Sequence, residues 1–322
     1  MTTEQMDTRQ LLIDTADRIF ADHCDKPLLD AAERGEFPHR LWETLRENGF
    51  HELAMRTSGM PLGDAFAVIQ VAARHAVPLP LTEILLCNRW LDGSERLATV
   101  GLESGGRIVA APWARNAEVV LGLDPDRPGS LVVVAGASAD PGTNLAGEAR
   151  DEVAVPVGAG RIDPGEPAFE LLALGRAVAM AGVLQRLLGL GLQYANEREQ
   201  FGRSISKFQA IQHNLAVVAG EVAAASRAAD AAIDALTSER LPLEIAAAKA
   251  RIGEAAGIVA EIVHQVHGAM GFTHEHTLHH FTRRAWAWRD EFGSEAWWQE
   301  RLGRHLAAAS ADRLWDFLAT RG

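Results

Sequence analysis

Hydrophobic and polar positions fall into three successive patterns along the chain. Up to about residue 100, apolar side chains recur every three or four positions: from Asp14 to Phe20, from Leu41 to Gly49, and across 64–77 (DAFAVIQVAARHAV). That spacing puts them on one face of a helix. Gly49 is placed to stop the second helix, where a left-handed residue is needed, and Pro78 and Pro80 are placed to halt the third. Between about 101 and 165 the pattern changes to short apolar runs, at 107–111 (RIVAA), 118–121 (EVVL), 130–134 (SLVVV) and 152–155 (EVAV), with Gly, Pro and Asp between them. These predict four or five strands of a small sheet. From about 166 the helical period returns. Phe208, Ile211, Leu215, Val218, Val222 and Ala225 step by three and four, writing one apolar stripe. Helices are predicted near 168–199, 207–237, 241–267 and 295–318, with irregular segments around 200–206 and 268–294. Short connections favour antiparallel neighbours. The expected fold is mainly α with a small β domain: an N-terminal helical domain (1–100), a short β domain (101–165) and a C-terminal four-helix bundle (166–322).

Composition narrows the function classes. The 31 Lys and Arg against 43 Asp and Glu leave a net charge of −12, which disfavours a phosphate-backbone binder and so nucleic acid as a partner. Cys24 and Cys87 are too few for a disulfide framework and fit a reducing compartment. The polar start, MTTEQMDTRQ, has no apolar signal core. The longest apolar stretch, Ala168 to Ala195, carries Glu170, Arg176 and Arg186, so no membrane span is expected. A cytoplasmic location is the corresponding expectation.

Chemistry concentrates in the last third. The segment Asn196–Arg203 (NEREQFGR) ends the first bundle helix, and the chain runs on through 204–213 (SISKFQAIQH) into the next. Further on stand 265–276 (QVHGAMGFTHEH) and 283–294 (RRAWAWRDEFGS). The first two resemble the bundle motifs of the acyl-CoA dehydrogenase family, R-x-x-F-G-x-x-I-x-x-F-Q-x-x-x-H and Q-x-x-G-G-x-G-[FY]. The order of helical, β and bundle regions is also similar to that family's. The resemblance is strong over about 170–300 and weak before 165.

It implies a flavoprotein that removes the α and β hydrogens of an acyl-CoA thioester, giving the 2-enoyl-CoA with FAD as hydride acceptor, and an electron-transfer protein as the final acceptor. It also implies that Arg198, Gln200 and Phe201 contact FAD held mainly by a neighbouring subunit. Arg198 would bring a guanidinium fork to the diphosphate. Gln209 would bond the adenosine part, Gln265 and Gly268 would line the pyrophosphate, and Ser294 is taken with the cofactor contacts. Arg176 is the candidate for the CoA diphosphate. Because the family's flavin lies across a subunit boundary, a homo-oligomer or a second acyl-CoA dehydrogenase subunit follows from the same resemblance.

Three departures stand out. Ala269 replaces the second glycine of the G-G pair. The β region lacks the family's T-E-P-x-x-G-S-D and W-I-[ST]-N segments; Pro112–Arg115 and Asn144–Arg150 lie there instead. The family's usual catalytic Glu falls on Phe292, and its other base position falls near Leu172, with Glu170 two positions off. The carboxylate adjoining Phe292 is Glu291, which becomes the candidate base, with a pKa expected to be raised by burial. The competing reading pairs Asp290 and Glu291 with Arg283, Arg284 or Arg289. His276 and His280 are spaced as a metal pair, but no cysteine stands near and no metal is expected. Trp286, Trp288, Trp297 and Trp298 read as core or interface anchors. Three functions remain open: an acyl-CoA dehydrogenase with a displaced base, a catalytically inactive subunit completing a partner's FAD site, or another flavin reaction such as that of an oxidase or monooxygenase.

Overall fold

In the computed structural model, which describes residues 3–93, 96–127 and 129–308, helices occupy both ends of the chain and a sheet the middle. The N-terminal helices are α1 (Thr3–His23), α2 (Lys26–Glu33), α3 (His39–Glu47), α4 (Leu62–Arg74) and α5 (Leu81–Trp90). Each boundary has a local cause. Asp25 caps α2 by accepting from the Leu28 amide at 2.9 Å. Gly49, at φ +72°, follows the end of α3 as expected. Pro78 lies just beyond α4, but Pro80 is the N-cap of α5. A proline whose missing N–H is harmless at a helix start therefore opens a helix that the sequence pattern did not show.

Seven strands form one sheet in the order β5-β6-β2-β1-β3-β4-β7: β1 (Ala98–Ser104), β2 (Arg107–Ala111), β3 (Val119–Leu123), β4 (Leu131–Ala135), β5 (Ala139–Asp140), β6 (Asp151–Ala154) and β7 (Arg161–Ile162). The four apolar runs became β2, β3, β4 and β6. The pair β1–β3 is parallel, with Ala98 opposite Val119, and β1–β2 is antiparallel. Every residue of β3 is buried.

The C-terminal part contains α6 (Ala168–Glu197), the small hairpin of β8 (Glu199–Gln200) and β9 (Arg203–Ser204), then α7 (Gln209–Asp234), α8 (Leu241–His267), α9 (Leu278–Asp290) and α10 (Glu295–Ala308). The expected bundle is α6, α7, α8 and α10; the end of its last helix, 309–318, lies outside the described residues. The segment expected to be irregular contains α9, packed on α6 and α8. The longest helix, α6, is apolar and long enough to cross a membrane by composition alone, but most of that stretch is buried inside the protein. Helix α6 packs on α4, α7, α8 and α9. Gly182 lets α4 approach it closely, since a Cβ there would collide with the Gln70 carbonyl.

Candidate functional site

The motif residues gather in two separate places. The first is an open cleft of about 460 Å³ where α6 ends and α8 meets its C-terminal turn, lined by Arg198, Gln200, Phe201, Phe208, His267 and Gly268, among others. Its geometry starts from the β8–β9 hairpin. Gln200 pairs with Arg203 across two central residues, Phe201 at φ +51° and Gly202 at φ +76°. Two positive φ values are what a tight hairpin turn demands, and phenylalanine is an unfavourable residue there. The turn holds Phe201 out in solvent, 91% exposed. The Arg203 guanidinium lies 4.4 Å from the Phe208 ring centre. Arg198 is exposed and has no ion pair among the described residues.

Across the cleft, Gly268 takes φ +56° and a Cβ added there would meet nothing within 4 Å. Ala269 is absent from the left-handed region, so the substitution of the family's second glycine brings no backbone strain. His267 is buried, and its Nδ1 lies 2.8 Å from the Val263 carbonyl. A carbonyl only accepts, so Nδ1 carries the hydrogen and Nε2 is a buried acceptor without a partner among the described residues. Burial lowers the His267 pKa, keeping the ring neutral. His267 and Tyr194, whose rings stack at 4.4 Å, are cleft residues that the sequence motifs did not single out. Tyr194, the single tyrosine of the chain, precedes Arg198 by one helical turn.

Not every expected cofactor contact is at this cleft. Gln209, at the start of α7, and Gln265, on the last turn of α8, are exposed and outside its lining. Ser294 is remote from it, at the start of α10, where its hydroxyl accepts from the Trp297 amide at 3.3 Å.

The second place is interior. Six charged side chains alternate in sign: Glu83 of α5, Arg176 of α6, Glu291, Arg150 and Glu148 of the β5–β6 loop, and Arg284 of α9. Arg176 is 5% exposed and bonds both Glu83 and Glu291, with its guanidinium 5.6 Å from the Phe292 ring centre. It is therefore not placed to take a CoA diphosphate, because its donors are committed to two carboxylates inside the protein. Glu291 also accepts from Arg150 Nε at 2.9 Å and from Asn144 Nδ2 at 3.1 Å. Burial would raise its pKa, but Arg150 and Arg176 outweigh burial and hold it below the ordinary carboxylate value. The expected upward shift is corrected to a downward one. The competing pairing is corrected too: Arg283 bonds Glu33, Arg284 bonds Glu148 and Arg289 bonds Glu295.

Glu148 is held to about 2 in the same way, burial being overcome by Arg150 and Arg284. Lys249 of α8 donates to the carbonyls of Trp288, Arg289 and Glu291 at 3.2, 3.1 and 2.8 Å, which ties down the C-terminal end of α9; burial lowers it to about 7. Phe292 takes φ +55° and Gly293 φ +96°. Trp298, fully buried, donates to the Phe292 carbonyl at 3.0 Å. The adjoining cavity, lined by Glu148, Arg150, Arg176, Arg284, Trp288 and apolar residues of α4 and the α4–α5 turn, measures about 60 Å³. Ligand pockets run to about 300–1,000 Å³, a range that the outer cleft reaches and this cavity does not.

Residues 167–307 match the family described as acyl-CoA dehydrogenase, C-terminal domain. The C-terminal region is therefore an acyl-CoA dehydrogenase C-terminal domain. The chain is 28% identical over 297 residues to acyl-CoA dehydrogenase IpdE2 of Mycobacterium tuberculosis, covering 86% of this chain and 90% of that one. It is 31% identical over 291 residues to acyl-CoA dehydrogenase FadE34 of the same organism, covering 80% of this chain but 40% of that one. Its fold is similar to a chain of the ChsE4-ChsE5 complex from Mycobacterium tuberculosis, with a TM-score of 0.85 at 21% identity over 97% of this chain and 99% of that chain. Acyl-CoA dehydrogenase architecture thus extends over the N-terminal helices and the sheet, where the sequence motifs are weak. Within it, the two places described above are far apart. Lys249, which holds the Glu291 carbonyl, and Gly268 differ by 268 − 249 = 19 positions along α8 and its turn, roughly 28 Å at 1.5 Å per residue.

Proposed function

We propose that this chain is a catalytically inactive subunit of a flavin-dependent acyl-CoA dehydrogenase. It lends its Arg198–Gly268 cleft to FAD seated mainly on a second chain, and the α,β-dehydrogenation of the acyl-CoA thioester to the 2-enoyl-CoA takes place on that partner. The observation that carries this reading is the state of Glu291. It is the carboxylate nearest the position held by Phe292, and it is neutralised by Arg150 and Arg176 beside a 60 Å³ cavity. A general base needs a free lone pair within reach of the substrate proton; this carboxylate spends its oxygens on three donors.

The outer cleft fits the dinucleotide half of the cofactor. FAD, when bound, supplies the hydride acceptor. Arg198 brings an exposed guanidinium to its phosphates, and Gly268, with open space where a Cβ would stand, lets the cofactor come close to the backbone. Gln209, Gln265 and Ser294 are not assigned to it. The roughly 28 Å between cleft and interior network supports a flavin shared between chains. So does the ChsE4-ChsE5 complex, to a chain of which this fold is similar. The reading in which this chain itself oxidises acyl-CoA requires the Glu291 ion pairs to open first.

Purification alone and with a co-expressed second acyl-CoA dehydrogenase chain tests this, read by flavin absorbance. The chain alone should hold little FAD, and the complex should hold it stoichiometrically. Arg198→Ala should weaken retention in the complex by about 10-fold or more, as expected for a charge-assisted bond. Full FAD occupancy and reduction by acyl-CoA in the isolated chain would overturn the proposal.

A further inference from the structure

We propose that the junction of α2 and α9 is a divalent-cation site of the zinc class, with Asp30, His279 and His280 as ligands. One ligand atom from each lies within 4.8 Å of the other two. The sequence spacing pairs His276 with His280; the fold instead pairs His279 with His280 and brings Asp30 to them from the other end of the chain.

The hydrogen-bonding of both rings fixes which nitrogen is free. His280 Nδ1 stands 2.7 Å from the Glu33 carboxylate, and His279 Nδ1 stands 2.8 Å from the His276 carbonyl. Both partners accept, so each neutral ring carries its hydrogen on Nδ1 and presents the lone pair of Nε2. A carboxylate or a backbone carbonyl behind a histidine is the arrangement that orients metal-bound imidazoles. Glu33 is in turn held by Arg283 at 3.0 Å, and Lys26 bonds the second oxygen of Asp30.

The remaining contact is unfavourable without a cation. His280 is fully buried, and its Nε2 lies 3.1 Å from Asp30 Oδ1 without hydrogen-bond geometry. On a neutral His280 ring two lone pairs face each other there. The same separation suits two ligands of one ion, because zinc–ligand bonds of about 2.0–2.1 Å in a tetrahedron set its edges at about 3.3 Å. Two imidazoles and one carboxylate suit zinc and its neighbours better than magnesium or calcium. Three protein ligands leave a fourth position for water. An ion here would fasten α2 to the start of α9, beside Glu33 and Ala32, which line the interior cavity.

Chelator-treated full-length protein titrated with zinc against a chromophoric competitor tests the site, with cobalt substitution reporting the ligand field. One zinc per chain should bind, and cobalt should give the intense visible bands of a low-coordinate site. Glu33→Gln, which keeps all three ligands, should weaken zinc about 10–100-fold. His279→Gln, at a half-exposed position that spares the buried His280, should weaken it further, and His213→Ala on α7 should leave it unchanged. No stoichiometric uptake by the wild type would overturn the proposal. Uptake undiminished in His279→Gln would also overturn it.

Discussion

The Glu291 carboxylate accepts from Arg150, Arg176 and Asn144, so removing its charge leaves two guanidiniums facing each other with one counter-ion fewer. Breaking a buried pair from one side costs about 3–5 kcal/mol. Because 19% of the Glu291 side chain meets solvent, the lower end applies. Glu291→Gln should therefore lose about 3 kcal/mol of stability in urea unfolding. A loss below about 1 kcal/mol would mark Glu291 as an ordinary surface carboxylate. The sequence located this residue but misread its surroundings. Its partners lie 115 and 141 positions away, and neither the helical period of α6 nor the β5–β6 loop carries a local sign of the pairing. The expectation that Phe292 stands where the family has its base came from counting along the motif alone. The fate of the neighbouring carboxylate depended on contacts that only the fold creates.

Among elements, the β5–β6 loop matters most, because Asn144, Glu148 and Arg150 tie the sheet to α6 and α9 through charge. The folded-state pKa of Glu148 is about 2 against an ordinary 4.5. Its contribution is complete above pH 4.5 and is lost as pH falls from there to about 2, on the order of 3 kcal/mol in total. Urea midpoints measured down through this window should fall steeply for the wild type and less so for Glu148→Gln; equal slopes would contradict the assignment. Elements with a clean period were readable from sequence: α3, α4, α6, α7, α8, and strands β2, β3, β4 and β6. Those that were missed break the pattern for physical reasons. Helix α5 begins at a proline taken as a stop, β1 interrupts its apolar run with Gly101 and Thr99, and α9 buries Arg284, Thr282 and His280. A buried arginine looks like a solvated position until its carboxylate is seen. The cleft was partly legible for the same reason: Arg198, Gln200, Phe201 and Gly268 sit at helix and hairpin ends fixed by local turns, whereas His267 became a cleft residue through packing.

At the scale of the whole molecule, the cleft faces outward with Phe201 at 91%, Phe272 at 78% and Met270 at 39% exposure on or beside its rim. Apolar side chains clustered around an open, partly cationic cleft mark an interaction surface. Phe201→Ser should weaken association with the partner chain and FAD retention together, seen by sedimentation with absorbance at flavin wavelengths. Unchanged association would place the interface elsewhere. The central claim is that the base belongs to the partner, and anaerobic stopped-flow reduction of the two-chain complex by acyl-CoA tests it most directly. With Glu291→Gln in this chain, under conditions where the complex stays folded and FAD-loaded, the flavin should be reduced at the wild-type rate. A slowing of about 10²–10⁴-fold with FAD still bound, the size of effect a lost acid–base catalyst produces, would contradict the account and return the base to Glu291.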